Sequence, residues 1–182
     1  MSKTIDNLKA AIIGESTASA TYAAFAAKAA QDGQILIQKL FEAASKAESI
    51  HAANHKKVLE KLGGALDSFD IEIHVGSTAD NLKHAIAGET HEFESMYPGF
   101  IAEAEAEGEK AAIRTFTWAN EAEKEHAKFY TIALQALEAG KTVELPSTYW
   151  ICPVCGDTFS TLEGAATCPL CGTKSEKYIV LG

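Results

Sequence analysis

The chain has 182 residues, of which 47% are hydrophobic, and a formal net charge of −9. This length accommodates one domain of ordinary size and a small second one. The acidic balance argues against nucleic acid as a partner, because the sequence has no basic stripe to neutralise phosphates. No apolar run approaches the length of a membrane span and the first residues contain no apolar signal core, so we expect a cytoplasmic protein without a membrane partner.

Hydrophobic periodicity predicts four long helices in the first part of the chain. The composition, rich in Ala, Glu and Lys, favours helix, and glycines that end helices stand at Gly33, Gly63, Gly108 and Gly140. Each predicted helix is near 45 Å long at the standard rise, on the order of what a tall bundle needs. The predicted helices cover residues 4–31, 34–62, 78–107 and 109–139.

The connections between these helices determine their arrangement. Helices one and two, and helices three and four, are joined by very short loops, so each pair must form an antiparallel hairpin. The middle connection, residues 65–77, is long enough to cross the bundle, and residues 71–75 alternate like an extended strand. Two hairpins joined by one long crossover form the ferritin-like arrangement. We therefore predict a mainly α fold, with a ferritin-like four-helix bundle over residues 1–145.

Acidic and histidine side chains recur at one-turn spacing on these helices. The second and fourth helices each carry a Glu-x-x-His pair, and the third carries two glutamates three positions apart, hence on one face. A bundle that binds two metal ions uses a lone Glu from each of two helices and a Glu-x-x-His pair from each of the others. One such pair alone usually belongs to a solvated face, but the joint pattern predicts a di-iron or di-manganese site. The candidate ligands are Glu15, Glu48, His51, Glu89, Glu92, Glu123 and His126.

Three further side chains lie near these candidates in the sequence. Tyr22 follows Glu15 by two helical turns and could either orient a ligand carboxylate through a hydrogen bond or pack in the core. Tyr97, five positions after Glu92, has a less favourable spacing. His55, one turn after His51, could assist a ligand from behind, but a partly exposed structural role is the favoured interpretation.

The four cysteines lie in the last part of the chain, after a helix break at Leu145-Pro146. This segment, residues 146–182, is too small to fold by apolar burial alone. Two Cys-x-x-Cys pairs in an intracellular chain indicate a metal site rather than disulfides, and tetrahedral thiolate sites hold zinc or iron. The segment alone favours a zinc-ribbon-like module with structural zinc, whereas its fusion to a di-iron bundle favours iron. The candidate ligands are Cys152, Cys155, Cys168 and Cys171.

Together these motifs resemble the rubrerythrin family, whose C-terminal domain is rubredoxin-like. The resemblance implies a non-haem di-iron site held by all seven carboxylate and imidazole candidates, an FeS4 site in the tail, and reduction of hydrogen peroxide to water. It also implies that one iron exchanges Glu92 for His51 on reduction, and that Tyr22 and Tyr97 lie beside the site. The matching segments are Gly-Glu-Ser (14–16), Glu-Ser-Ile-His (48–51), Gly-Glu-Thr-His-Glu-Phe (88–93), Met-Tyr-Pro (96–98), Glu-Lys-Glu-His (123–126) and the two cysteine knuckles.

The expected partners follow from electron counting. Peroxide needs two electrons to become two waters; a diferrous pair can deliver both, whereas an FeS4 centre passes electrons singly. The sequence has no nucleotide-binding glycine motif, so the electrons must come from a separate partner, such as a rubredoxin or an NAD(P)H-dependent reductase.

Geometry along the fourth helix predicts an oligomer. From His126 to Gly140 the helix covers about 21 Å before the tail begins. We therefore expect the tail of one chain to dock near the di-iron site of another, in a head-to-tail homodimer. The main alternative function is a ferritin-like protein that oxidises and stores iron, with a zinc-bound tail, and a non-enzymatic alternative is a metal-binding scaffold.

Overall fold

The computed structural model describes residues 2–163 and 166–182 of the chain. Helix ends follow the sequence signals: the Ser77 hydroxyl accepts a hydrogen bond from the Asp80 backbone N–H, 3.2 Å away, and Gly108 adopts a φ of 75° after the helix that precedes it. The predicted helices are confirmed, except that the third is interrupted. The α-helices are α1 Lys3–Gln31, α2 Ile35–Lys61, α3 Thr78–His91, α4 Tyr97–Glu107 and α5 Lys110–Glu138.

The interruption is a π-helical segment, Glu92–Met96, between α3 and α4. Its defining hydrogen bond runs from the Tyr97 backbone N–H to the Glu92 carbonyl oxygen. Pro98 follows at once and lacks the N–H group that an unbroken α-helix would use there. Because a π turn inserts one residue, Tyr97 takes the inward position that Met96 would hold in a continuous helix, and Tyr97 is fully buried.

The helices form the two predicted hairpins. α1 packs along α2, and α3 and α4 pack along α5, with residues 62–77 crossing between the hairpins. The prediction of a strand at residues 71–75 is wrong: this segment is not a strand, and its three apolar side chains are 38–48% exposed. A strand needs a partner strand to hydrogen-bond its backbone N–H and C=O groups. The neighbouring helices offer none, because their backbone groups are hydrogen-bonded within each helix.

Two apolar clusters fill the bundle on either side of a polar layer. One contains Phe25, Leu40 and Phe41, and the other contains Leu8 and Phe116, all fully or almost fully buried. The candidate metal ligands lie between them along the helices. Low-dielectric surroundings above and below strengthen every electrostatic interaction in that layer.

The C-terminal segment forms a small three-stranded sheet. Its central strand β1 (Tyr149–Ile151) pairs antiparallel with β2 (Thr158–Phe159) on one side and with β3 (Ile179–Leu181) on the other. Alternation along β1 divides its side chains: Tyr149 and Ile151 join an apolar cluster of the bundle, while Trp150 packs near the cysteines. The sheet therefore packs against the bundle through one face. The division of the chain at residues 145 and 146 stays a prediction.

Candidate metal centres

Buried donor atoms from four helical segments converge at the centre of the bundle. In each of two sets, four donor atoms lie within 4.8 Å of one another. Both sets contain Glu48 and Glu123, so these two carboxylates stand between the two positions. Each set adds one glutamate and one histidine of its own. The sets are Glu15, Glu48, His51 and Glu123, and Glu48, Glu89, Glu123 and His126.

The two histidines face the shared carboxylates in nearly the same way. His51 Nδ1 lies 2.9 Å from Glu48 Oε2 and 3.1 Å from Glu123 Oε1. His126 Nδ1 lies 2.9 Å from Glu123 Oε2 and 3.2 Å from Glu48 Oε1. Each Glu-x-x-His pair thus directs its imidazole at its own carboxylate and at that of the other pair. This pseudo-symmetry follows from the same motif on α2 and α5.

The electrostatics of the layer favour cations. Burial and the neighbouring charges of Glu123 and Glu15 raise the pKa of Glu48 to about 7. Burial and the same kind of repulsion raise the pKa of Glu89 well above its usual value. Burial lowers the pKa of His126, but attraction to the carboxylates, Glu48 first, outweighs this and raises it to about 10. Without a metal ion, protons supply the positive charge that the carboxylates require.

Several donor atoms of the layer have no hydrogen-bond partner although they are buried. Buried polar atoms are almost always paired, so buried, unpaired carboxylate oxygens that face one another indicate a cation-binding site. Mixed carboxylate and imidazole donors suit iron or manganese. The residues therefore fit a pair of such ions. Among the described residues, Glu15 Oε2 and Glu89 Oε1 are unpaired, and Glu48 Oε1 and Glu123 Oε1 have only the poorly aligned imidazole nitrogens of His126 and His51 beside them, at 3.2 and 3.1 Å.

Glu92 stands apart from both donor sets. It begins the π-helical segment, is half-buried, and its Oε1 lies 3.9 Å from the position that a Cβ on Gly14 would take. Burial and the charges of Glu15 and Glu123 raise its pKa well above the usual value. It lines a cleft together with Tyr22 and with Gly14, the residue that precedes Glu15. In this structure His51, and not Glu92, belongs to the donor set with Glu15.

Both candidate tyrosines are buried beside ligand carboxylates. Tyr97 donates a hydrogen bond to Glu15 Oε1, and its ring packs against Phe116. The Tyr22 hydroxyl lies close enough to Glu89 to lower the pKa of that carboxyl, against the larger effect of burial.

The expectation that His55 is partly exposed is wrong. His55 is fully buried, lies 3.1 Å from the Tyr97 hydroxyl through Nε2 and 3.1 Å from the Thr115 hydroxyl through Nδ1. Burial lowers its pKa. A one-turn spacing from His51 on the inward stripe of α2 was the signal that could have placed it inside.

The four cysteine sulfurs form one cluster in the C-terminal sheet. Cys152 Sγ lies 3.4 Å from Cys171 Sγ, and Cys155 Sγ lies 3.5 Å from Cys168 Sγ. Sulfurs placed 2.3 Å from a tetrahedral ion would stand about 3.8 Å apart, so the cluster fits one such ion closely. A glycine of positive φ, Gly156 or Gly172, follows each knuckle and lets the backbone turn beneath the sulfurs.

The cysteine cluster of this chain lies against its own di-metal layer. Gly156, next to Cys155, is so near that a Cβ there would clash with His51 Nε2. The Thr158 hydroxyl lies 3.1 Å from His126 Nε2. Both histidines therefore meet the module through the nitrogen that faces away from the carboxylates. No sequence signal marked Gly156 or Thr158 for this contact.

The premise of the head-to-tail dimer is therefore wrong. We expected the tail to start too far from the site because α5 carries the chain away from it. Residues 141–148 instead run back along the bundle, where Lys39 Nζ donates a hydrogen bond to the Ser147 carbonyl oxygen at 3.0 Å. Eight extended residues span up to about 26 Å, enough to recover the length of helix after His126. The dimer itself stays a prediction, without this geometric support.

Comparison with known proteins identifies the family. The sequence model of rubrerythrin matches residues 6–134. Rubrerythrin-2 of Clostridium acetobutylicum is 39% identical over 182 residues, covering 96% of this chain and 95% of that protein. The chain belongs to the rubrerythrin family.

Solved structures agree with this family assignment. The fully reduced, all-ferrous state of nigerythrin superposes with a TM-score of 0.84 at 34% identity, covering 97% of this chain and 86% of that one. An open-pore ferritin from Archaeoglobus fulgidus shares the fold alone, with a TM-score of 0.66 at 15% identity over 76% of this chain and 87% of the ferritin. The ferritin-like fold class is thereby confirmed. Within residues 2–163 and 166–182, no helix is long and apolar enough to cross a membrane.

Proposed function

We propose that this chain is a peroxide-reducing oxidoreductase that binds two iron ions in the bundle and one at the four cysteines. Its substrate is hydrogen peroxide, and a separate partner, such as a rubredoxin or an NAD(P)H-dependent reductase, supplies the electrons. The contact between the cysteine module and both site histidines carries this proposal, because a purely structural zinc module has no need to meet those two side chains.

In this proposal all seven carboxylates and imidazoles serve the iron pair. The two sets sharing Glu48 and Glu123 hold the ions, and the unpaired carboxylate oxygens of these sets supply donors. Glu92 lies outside both sets, beside Gly14, and would be the carboxylate that takes the place of His51 in the oxidised site. The arrangement in which His51 belongs to the donor set is the one that the family resemblance implies for the reduced site.

When bound, the iron pair supplies two electrons together for the reduction of peroxide to two waters, and the thiolate-bound iron supplies electrons singly. The protein keeps the cysteine module in contact with the layer of bundle ligands. Gly156 keeps the backbone beside Cys155 in contact with His51, and Thr158 ties β2 to His126. Tyr97 donates a hydrogen bond that orients the Glu15 carboxylate, and buried Tyr22 lowers the pKa of Glu89 against the larger effect of burial, as a hydroxyl beside that carboxylate would.

A small cleft gives peroxide access to the site. Its volume is about 270 Å³, and Tyr22 and Glu92 are among the residues that line it. Gly14 and Gly88 line it without side chains of their own, so two helices approach closely while a passage remains. A larger cleft of about 660 Å³ between α1 and α2 is lined by none of the donor residues. The smaller cleft is therefore the better candidate for a path used by a molecule little larger than water.

Metal analysis combined with a visible spectrum tests the proposal. Protein purified with iron should be red, lose its colour on reduction, and regain it on addition of peroxide. Each prereduced iron pair should consume one equivalent of peroxide in a single turnover. Zinc at the cysteines, together with oxygen-driven accumulation of many iron ions per chain, would contradict the proposal and favour the iron-storage alternative.

A further inference from the structure

A row of hydrogen-bonded side chains extends from Glu15 into the apolar part of the bundle. The Thr115 hydroxyl lies 3.1 Å from His55 Nδ1, and His55 Nε2 lies 3.1 Å from the Tyr97 hydroxyl oxygen. Tyr97 in turn donates to Glu15 Oε1. The four side chains come from four different helices, α2, α4, α5 and α1, and are at most 4% exposed.

Counting protons fixes the direction of this row. The Tyr97 hydroxyl has one proton and uses it in the hydrogen bond to Glu15. The Tyr97 hydroxyl oxygen must therefore accept a hydrogen bond from His55 Nε2. A neutral His55 then carries its proton on Nε2, and its Nδ1 accepts the hydroxyl proton of Thr115. Every donor in the row points toward Glu15.

Within the described part of the chain, His55 Nε2 also approaches Glu15 Oε1, but at 3.7 Å, beyond hydrogen-bond distance. The His55 ring lies 5.3 Å from the Phe116 ring and 5.9 Å from the Tyr97 ring, next to the apolar cluster that contains Leu8 and Leu59. Apolar side chains of similar size would fill this space without requiring hydrogen bonds. The polar row therefore calls for an explanation beyond core packing.

The end of the row decides which oxygen of Glu15 remains available. Tyr97 occupies Oε1, whereas Oε2 is buried, unpaired and 3.8 Å from His51 Nδ1. If Tyr97 turned away, either oxygen could rotate toward the donor set. A hydroxyl held from behind by His55 keeps the carboxylate in one orientation.

We propose that His55 is a positioning residue that acts through Tyr97 to present Glu15 Oε2 to the metal ion of the His51 set. The inference rests on the proposed ligand role of Glu15. It is independent of the reaction with peroxide. The other donor set, with Glu89 and His126, does not contain Glu15, so the effect of His55 is confined to one of the two metal positions.

Nitrogen NMR of the metal-free wild-type protein tests the direction of the row. The His55 ring, labelled with ¹⁵N, should show a proton fixed on Nε2 and an unprotonated Nδ1. Thr115→Val removes the donor to Nδ1 and should shift that resonance while leaving the Nε2 proton in place. A proton on Nδ1 in the wild type, or rapid exchange between the two tautomers, would overturn the proposal.

Cobalt(II) titration followed by visible absorption tests the consequence for metal binding. His55→Leu should weaken one of the two bundle binding events about tenfold, within the range found when the groups that orient ligands are lost, and leave the other unchanged. His55→Gln can donate to Tyr97 and accept from Thr115, and should recover most of the affinity. In a Tyr97→Phe background, His55→Leu should have no further effect.

Equal cobalt binding by wild type and His55→Leu, or equal losses in the Leu and Gln variants, would refute the positioning role. Should His55→Leu fail to fold, the Gln variant and the wild-type tautomer still decide the matter. Because neither readout involves peroxide, failure of the proposed function would appear separately, as wild-type protein that binds metal normally yet does not reduce peroxide.

Discussion

The bundle and the cysteine module relate to their metal ions in opposite ways. The bundle is stabilised by two large apolar clusters. Its metal ligands destabilise it, because they are buried carboxylates that repel one another. The module has a three-stranded sheet of very short strands, and its ligands are the main source of its cohesion. One part of the chain thus folds in spite of its metal site, and the other folds because of it. Metal removal and ligand substitution should change their stabilities with opposite signs.

The largest expected effect is loss of the module on removal of its metal. Structural thiolate sites contribute on the order of 10–16 kcal/mol of binding energy to folding. Cys155→Ser, or chelation of the module's metal, should abolish hydrogen-exchange protection in the sheet while the helical circular dichroism persists. Turnover with a reductase should stop, and single-turnover peroxide reduction by the prereduced bundle should remain. Loss of the single turnover as well would contradict this division of labour.

The contact between the two parts can be broken at one glycine. Gly156→Ala places a Cβ against His51 Nε2, whereas the corresponding Gly172, also at positive φ, has none of the described residues within 4 Å of its Cβ position. Each substitution should lower the free energy of unfolding by about 1–2 kcal/mol, because alanine is strained in the left-handed backbone conformation. Gly156→Ala alone should also displace the module and slow recharging of the bundle about 10–100-fold. Stopped-flow spectroscopy measures this rate, and similar rates in the two variants would contradict the importance of the contact.

Removing a ligand from the bundle should stabilise the metal-free protein. A carboxyl whose pKa is raised by folding destabilises the folded state once the pH exceeds its usual pKa, and has no such effect below it. Glu89→Gln should therefore raise the free energy of unfolding near neutral pH by about 1–3 kcal/mol, and the gain should fade toward pH 4. Glu94→Gln, at an exposed position, is the matched control. Urea unfolding at both pH values checks this, and a destabilised Glu89→Gln protein would show that repulsion is not the dominant effect.

The smallest expected effect concerns access to the bundle. Gly14→Leu should narrow the cleft beside Glu92 and slow the single-turnover reaction with peroxide, on the order of tenfold, while helix propensity adds up to about 1 kcal/mol of stability. Gly99→Leu gives the same gain in propensity at a helical position with nothing within 4 Å of its Cβ position. An unchanged peroxide rate in Gly14→Leu would place the path elsewhere.

What could be predicted from the sequence follows from how local the determining forces are. Helix periodicity and the glycines that end helices depend on nearby residues, and the Glu-x-x-His pairs depend on one helical turn. The helices and these ligand pairs could therefore be predicted from the sequence. The π turn before Pro98 was not, because it results from competition between backbone hydrogen bonds and inward packing of Tyr97. The docking of Gly156 on His51 depends on a linker whose path has no periodic signature.

The linker that runs back along the bundle, residues 141–148, also determines how the cysteine module reaches the di-metal layer. Because residues 141–148 tether the module beside its own site, recharging should be a first-order process at a fixed effective concentration, indifferent to dilution. With these eight residues extended outward, the module would reach the matching surface of a second copy and make the same contacts with its two histidines. A dimer formed by such an exchange would differ from the monomer only in which chain contributes the sulfurs.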